Sequence, residues 1–365
     1  MEIEFGNGQD VKKMKEFWKL SDGKNTYSID ENIWIGADGE LLQIQSPFNK
    51  RFLFYTDHEY QGLWKFNPQL PVFNKENIVS FGEGYTPVVK ELWHQKQVSF
   101  KLEYLFPTGS YKDRGATVLL SKIKELGIKK IIEDSSGNAG CAIAAYAAKA
   151  NIDSEIYVSS MASPAKIKQM KGYGANVIVI NGSREDVAEA AKKAAQHAYY
   201  ASHSYNPFFF EGTKTFAYEV WEQCPEMPDE IIFPVGNGTL IIGTYIGFTE
   251  LMAAGLITQI PRLSAAQATH CPGLSNQNIN EFKTTVAEGI AVKNPVRKML
   301  IQKILGQTNG LYYAVNEEDI LKEHQLLHKN GYFVELTSAV ATAALQQSSG
   351  NKVMVPLTGH GLKNL

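Results

Sequence analysis

The chain has 365 residues, 44% hydrophobic and 20% charged, with 36 Lys and Arg against 38 Asp and Glu. A net charge of -2 gives no electrostatic footing on nucleic acid or an anionic membrane, while the length sets a soft expectation of two domains with sizeable cores. The three cysteines, Cys141, Cys224 and Cys271, lie far apart and form no CxxC pair, so neither a disulfide framework nor a metal site is legible. Met1 to Leu20 is charged and lacks the apolar stretch of a secretory signal. The most apolar run, 231–248, is broken by Pro234, Gly236, Asn237 and Gly238, so it reads as strand, loop and helix rather than a membrane span. A reducing, cytoplasmic setting is expected, with no nucleic-acid and no membrane partner.

Residues 1–78 are rich in aromatics (Trp18, Trp34, Phe52, Phe54, Tyr55, Tyr60, Trp64, Phe66) and poor in helical periodicity. They read as an N-terminal extension of short strands and loops packed on the main body, without legible chemistry. Ser80 to Pro87 is a turn-rich boundary. Val88–Lys90 and Val98–Glu103 read as strands either side of a hairpin. Gly109 and Ser110 give a turn and cap, and Ala116, Leu119, Leu120, Ile123 and Leu126 form the apolar face of the helix that follows.

Strands and helices then alternate. Lys130–Glu133 is a strand, Ser135 to Gly140 a loop, and Cys141–Ala150 a helix that Asn151 caps. Glu155–Ser159 is a strand. Ser163 and Pro164 open a helix ending near Gly174, and Asn176–Ile180 is a strand. Ser183 and Asp186 have the spacing of a capping box, opening a helix expected to reach about Tyr200. The loop Ser202–Asn206 leads to a helix from about Gly212 to Gln223. Glu230–Val235, Leu263–Ala268, Leu311–Val315 and Val353–Leu357 read as further strands. Helices are expected over Leu240–Ala254, from Asn294-Pro295 to about Leu305, from an Asn316 cap to about Asn330, and over Thr337–Gln347. This alternation argues for parallel sheets with helices on both faces, and for ligands beyond the carboxyl ends of strands.

Lys112 lies at a helix start, where the dipole mildly disfavours a cation and makes the neutral amine needed for a Schiff base easier to reach. Gly236-Asn237-Gly238-Thr239 lies between an apolar strand and a helix, where glycines let backbone N–H groups approach a phosphate. It is neither a Walker loop nor a full dinucleotide fingerprint. Ser135-Ser136-Gly137-Asn138-Ala139 offers hydroxyls and N–H groups to a carboxylate. Thr358 ends a strand, where its hydroxyl could meet a ligand nitrogen. A lysine, a phosphate cradle, a carboxylate loop and a hydroxyl together suit pyridoxal phosphate.

Four segments carry a family resemblance in the family's order: Gly-Glu-Gly-Tyr-Thr-Pro at 82–87, Pro-Thr-Gly-Ser-Tyr-Lys-Asp-Arg-Gly at 107–115, Ser-Ser-Gly-Asn at 135–138, and Thr-Gly-His-Gly-Leu-Lys at 358–363. Over roughly residues 60–365 the chain resembles fold-type II pyridoxal-phosphate enzymes, closest to threonine synthase. The resemblance implies an α/β fold of two three-layer αβα domains with mostly parallel sheets, beside the aromatic-rich extension. It implies a large cofactor-binding domain (79–112 and 205–365), a small mobile domain (113–204) and a homodimer. It implies that Lys112 holds the cofactor aldehyde and Asn138 its phenolic oxygen. Gly236, Asn237, Gly238 and Thr239 would hold its phosphate, and Thr358 would face its ring nitrogen. Ser135, Ser136 and Ala139 would meet the carboxylate of a small amino-acid substrate.

One departure bears on the substrate. The resemblance places Asn-Ser-x-Asn-Pro-x-Arg after the small domain, holding a substrate phosphate. Here the stretch is His203-Ser204-Tyr205-Asn206-Pro207-Phe208-Phe209. Ser204 and Asn206 are kept, but a phenyl ring replaces the guanidinium and cannot pair with a phosphate dianion; Arg114 is a candidate to compensate. Threonine formation from O-phosphohomoserine is therefore weighed against an ammonia-lyase or β-replacement reaction on serine, threonine, diaminopropionate or an O-substituted serine. A non-catalytic binding protein on the same fold is a further alternative. His270 and Cys271 are read as packing or surface residues.

Overall fold

The computed structural model describes residues 15–49, 54–275 and 282–364. Most of the charged N-terminal stretch, and Phe52, lie outside them. Strands β1 (Lys19–Ser21), β2 (Thr26–Ser28) and β3 (Gln43–Gln45) form a small antiparallel sheet in the order β2-β1-β3. The hairpin is β4 (Val88–Trp93) and β5 (Lys96–Lys101). Its two turn residues, His94 and Gln95, take φ of 48° and 62°, the left-handed pair that matches strand twist in a two-residue loop.

Helix α1 is Lys112–Glu125, and Ala116, Leu119, Leu120 and Ile123 are fully buried on one face as their spacing requires. β6 (Lys130–Glu133), α2 (Asn138–Ala150), β7 (Asp153–Ser159), α3 (Pro164–Gly172) and β8 (Asn176–Ile180) follow. Asn151 ends α2 in the left-handed region at φ 55°, one of the few non-glycine residues suited to it. Both arms of the capping box form at the start of α4 (Arg184–Ala194).

That helix stops well short of Tyr200. Tyr199 and Tyr200 instead form β9, parallel to β6 at Ile131 and Ile132. The alanine-rich run 190–195 prolongs the helical pattern, but burial of both tyrosines in a sheet outweighs it. The next helix also begins earlier than expected. Asn206 caps α5 (Pro207–Thr213) with Pro207 in its first turn, and α6 (Thr215–Gln223) follows. The remaining elements are β10 (Glu230–Pro234), α7 (Thr239–Ala253), β11 (Arg262–Ala268), α8 (Lys298–Gln307), β12 (Tyr312–Val315), α9 (Glu317–Lys329) under its Asn316 cap, α10 (Leu336–Ala343) and β13 (Lys352–Pro356).

The chain divides into two compact units. The first comprises residues 1–84, 112–215 and 246–258. It holds the parallel four-stranded sheet β8-β7-β6-β9. Trp18, Leu20, Leu42 and Phe48 of the aromatic N-terminal region share one core with α1 and α2. Glu83 anchors that region: it accepts Trp64 Nε1–H at 3.1 Å, the Ser80 hydroxyl at 3.0 Å and the Phe81 backbone N–H at 2.6 Å. Its neighbour Gly84, at φ 112°, must be glycine, because a Cβ would lie 2.3 Å from the Leu63 nitrogen.

The second unit comprises residues 85–111, 216–245 and 259–365. Its six-stranded sheet runs β12-β11-β10-β13-β5-β4, with only the edge strand β4 antiparallel. A buried Lys101 at the end of β5 binds Thr86 O, Thr86 Oγ1, Glu219 and Gln223 at 2.8–2.9 Å. The Gly-Glu-Gly-x-Thr-Pro segment therefore serves the two folds through Glu83 and Thr86. Both units are α/β with helices packed on parallel sheets, as expected. Among the described residues no helix is long and apolar enough to cross a membrane.

Candidate active site

In the second unit, three distant segments meet at the carboxyl ends of β5, β10 and β13. Ser110 pairs with Gly359 in an isolated bridge, and the Tyr111 N–H donates to Thr358 O at 3.1 Å. His360 N–H donates to Gly109 O at 2.9 Å, and Lys363 Nζ to Thr108 O at 2.7 Å. Gly109, at φ 83°, makes the turn these contacts need. The Tyr111 hydroxyl lies 2.9 Å from Thr239 Oγ1 at the first residue of α7. The motifs at 107–111, 236–239 and 358–363 thus share one locus, and Lys112 is the residue that follows Tyr111.

Two residues complete this locus that the sequence reading missed. Tyr111 is only one letter of the 107–115 motif in the sequence, yet its hydroxyl lies within hydrogen-bond distance of the turn. Ser338 of α10 is fully buried; its Oγ accepts Thr358 N–H at 2.9 Å and Gly359 N–H at 3.4 Å, and lies 3.3 Å from Thr358 Oγ1. A lone serine in an apolar helix offers no sequence signal for that role.

The turn after β10 is shaped by packing. Gly238 stands at φ 73°, and a Cβ there would reach within 2.4 Å of Ile301 Cδ1; one on Gly236 would reach 3.0 Å from Ile290 Cα. These neighbours account for the glycines. The anion capacity comes from the start of α7, a 15-residue helix whose first N–H groups have no intrahelical acceptor. The fully buried Ser110 Oγ has no hydrogen-bond partner among the described residues. A buried hydroxyl of this kind calls for a polar ligand. These donors fit a phosphorylated cofactor.

In the first unit, Lys112 is the first residue of α1 and is half-buried. Its Nζ lies 5.7 Å from the centre of the Phe209 ring. Phe209 is fully buried and packs on Gly115, where an added Cβ would come within 2.3 Å of the ring. Ser135 is buried after β6, its Oγ accepts the Gly137 N–H at 3.3 Å, and Asn138 and Ala139 open α2. Ser136, Gly137 and Asn138 are half-buried.

Other candidates make contacts within the fold. Asn206 is fully buried; its Nδ2 donates to the Tyr199 hydroxyl at 2.7 Å and its Oδ1 caps α5 at the Phe208 N–H. Ser204 Oγ lies 3.2 Å from Ser202 Oγ, and the buried Arg114 donates to Thr215 Oγ1 at 3.0 Å. His270 Nδ1 lies 2.8 Å from Thr284 O, and Cys271 is buried with its thiol pushed up by that burial.

Beyond these, Glu133 at the end of β6 pairs with His203, Nδ1 to Oε1 at 2.8 Å, and both are buried. Burial, then the Asp134 charge, pushes the Glu133 carboxyl well above the ordinary range, against the His203 N–H and the Lys112 and Arg184 cations. Burial, then Lys112 and Arg184, holds the His203 imidazole well below its usual range. Finding this pair from sequence requires knowing that β9 lies beside β6.

A family model described as pyridoxal-phosphate dependent enzyme matches residues 79–359. Threonine synthase of Methanocaldococcus jannaschii is 31% identical over 367 residues, covering 93% of this chain and 91% of its own. Threonine synthase of Synechocystis sp. is 32% identical over 314 residues, covering 82% of each. Among solved structures, maize serine racemase aligns with a TM-score of 0.66 at 23% identity, over 76% of this chain and 88% of its own. A fungal L-serine ammonia-lyase from Rhizomucor miehei aligns at 0.65 and 19% identity, over 75% and 93%. At those identities the structural likeness speaks for the fold. The sequence matches carry the rest: the chain belongs to the pyridoxal-phosphate-dependent enzymes, as a fold-type II lyase similar to threonine synthase.

Proposed function

We propose that this enzyme catalyses elimination or replacement on a small amino acid, with Lys112 as the residue that binds the cofactor and moves the proton. The observation that carries the reading is the meeting of Ser110 and Tyr111 with Thr358 and Thr239, one residue before Lys112. The start of α7, with Gly236, Asn237, Gly238 and Thr239, would hold the cofactor phosphate, and Asn138 its phenolic oxygen. Ser135, Ser136 and Ala139 would orient the substrate carboxylate. Pyridoxal phosphate, when bound, supplies a ring that accepts the electron pair left on the substrate α-carbon. Lys112, as a free amine, takes the α-proton. Thr358 would present a neutral hydroxyl to the ring nitrogen, which would favour elimination and replacement over transamination.

Threonine formation from O-phosphohomoserine is the first candidate, on the strength of the threonine synthase relatives. A second reading is favoured by Phe209. Its ring is apolar and fully buried near the Lys112 amine, and Asn206 is engaged as a cap. That reading is elimination from a substrate without a phosphate, such as serine or threonine, giving a keto acid and ammonia. Incubation of the holoenzyme with O-phosphohomoserine should release phosphate and threonine on the first reading. On the second it should release neither, while a panel of serine, threonine, diaminopropionate and O-substituted serines yields keto acid plus ammonia. No turnover with any of these would overturn the proposal. So would covalent attachment of cofactor, after borohydride reduction, at a residue other than Lys112.

A further inference from the structure

Glu133 spends both carboxylate oxygens on one residue: Oε1 lies 2.8 Å from His203 Nδ1, and Oε2 accepts the His203 backbone N–H at 3.1 Å. The charged and titratable groups around the pair come from four elements. Asp134 follows Glu133 at the end of β6 and accepts the Ser202 hydroxyl at 2.9 Å. Tyr200 belongs to β9, Lys112 to α1 and Arg184 to α4. The Asp134 carboxylate and His203 lie with Glu133 inside 4.8 Å. Because His203 occupies both Glu133 oxygens and two cations act on the pair, the arrangement suits a proton better than a metal ion.

Phe209 ties the pair to the lysine. Its ring centre is 5.9 Å from that of His203, edge to face, and 5.7 Å from Lys112 Nζ. Charges around a buried apolar ring interact more strongly than in water. The pair has two accessible charge states. With Glu133 ionised and His203 neutral it carries one negative charge; with one more proton it is neutral. In the proposed reaction Lys112 passes between an ammonium and a free amine.

We infer that Glu133 and His203 are positioning residues for Lys112, binding a proton when the lysine gives one up and so holding the charge of this pocket constant. One proton leaves Lys112 Nζ and one is bound by the Glu133–His203 pair, so proton count and net charge are the same before and after. The opposed displacements of the two groups by burial agree with a pair that resists holding more charge than one counter-ion can balance. The inference rests on the proposed role of Lys112 only for its relevance to turnover; the linkage itself is a property of the chain.

The test is an NMR titration of the His203 ring in the full chain, its signal assigned by loss in His203→Gln. In Lys112→Ala the midpoint of proton uptake should rise by about one pH unit, a roughly tenfold gain in proton affinity. Linkage is reciprocal. In Glu133→Gln, the pH at which pyridoxal phosphate is half-trapped on Lys112 by borohydride should therefore move in the complementary, downward direction by a similar amount. Glu133→Ala, which removes the same charge, serves if Glu133→Gln does not fold. A His203 midpoint that stays put in Lys112→Ala, or is absent in both proteins, overturns the inference. Failure to trap cofactor on Lys112 at any pH would instead remove the proposed function, and the His203 titration would still decide the linkage.

Discussion

At the scale of single residues, legibility followed membership of a recognisable motif. Lys112, Asn138 and Thr358 each sit in one, although the contacts that hold Thr358 come from Tyr111 and Ser338, both far away in sequence. Ser338 sits in none: it meets Thr358 only because α10 packs within the fold that ends in β13. Ser338→Ala should strand two backbone N–H groups, those of Thr358 and Gly359, in a buried setting. We expect a loss of about 1–3 kcal/mol, read by urea unfolding, together with weaker cofactor retention on dialysis. Unchanged values for both would show that Thr358 is held by other contacts. Phe209 makes the opposite point. Its chemical consequence was visible in the sequence, but its packing was not. Gly115→Ala would push a methyl into that ring and should cost roughly 1–3 kcal/mol. The smaller Phe209→Leu, combined with it, should restore part of the loss in the same unfolding experiment; no restoration would place the clash elsewhere.

At the scale of elements, capping chemistry was the most readable signal and short buried strands the least. The Ser183–Asp186 box and the Asn316 cap form where their spacing puts them, because a cap needs only its own first turn. β9 has two residues and no alternating pattern, so its pairing with β6 is decided by the sheet. Missing β9 also hid the partnership of Glu133 with His203, which follows from the adjacency of these strands. Asn206 joins the two ends of this region, capping α5 with one side-chain atom and holding the Tyr199 hydroxyl with the other. Asn206→Ala should therefore cost more than a simple cap, about 2–3 kcal/mol. Asn206→Asp, which retains the cap acceptor but loses the donor to Tyr199, should fall in between. Denaturant midpoints of the two variants would separate cap from tether, and equal losses would refute the split.

At the scale of the whole chain, the hydrophobic pattern predicted parallel α/β architecture correctly, because near-continuous apolar strands alternating with amphipathic helices have few other solutions. It said little about the charged groups buried beneath. In the first unit Lys214 is buried between Glu211 at 2.6 Å and Glu250 at 3.1 Å, with its ammonium 5.3 Å from the Trp18 ring. This network ties the aromatic N-terminal region to the end of α5. Burial pushes the Glu211 carboxyl up from 4.5 to about 7, Lys214 opposing and Glu250 reinforcing the shift. Below about pH 7 the folded chain thus holds a proton there that the unfolded chain has lost above pH 4.5. Glu211 therefore contributes stability that is present at and below pH 4.5, falls as pH rises from 4.5 toward 7, and is flat above. The change should be on the order of 1–3 kcal/mol, and Glu211→Gln should flatten it. Measuring urea unfolding of both proteins across that window isolates this group, since every other titration is common to the two. A difference between them that does not vary with pH would mean that Glu211 stays ionised throughout, with Lys214 outweighing its burial.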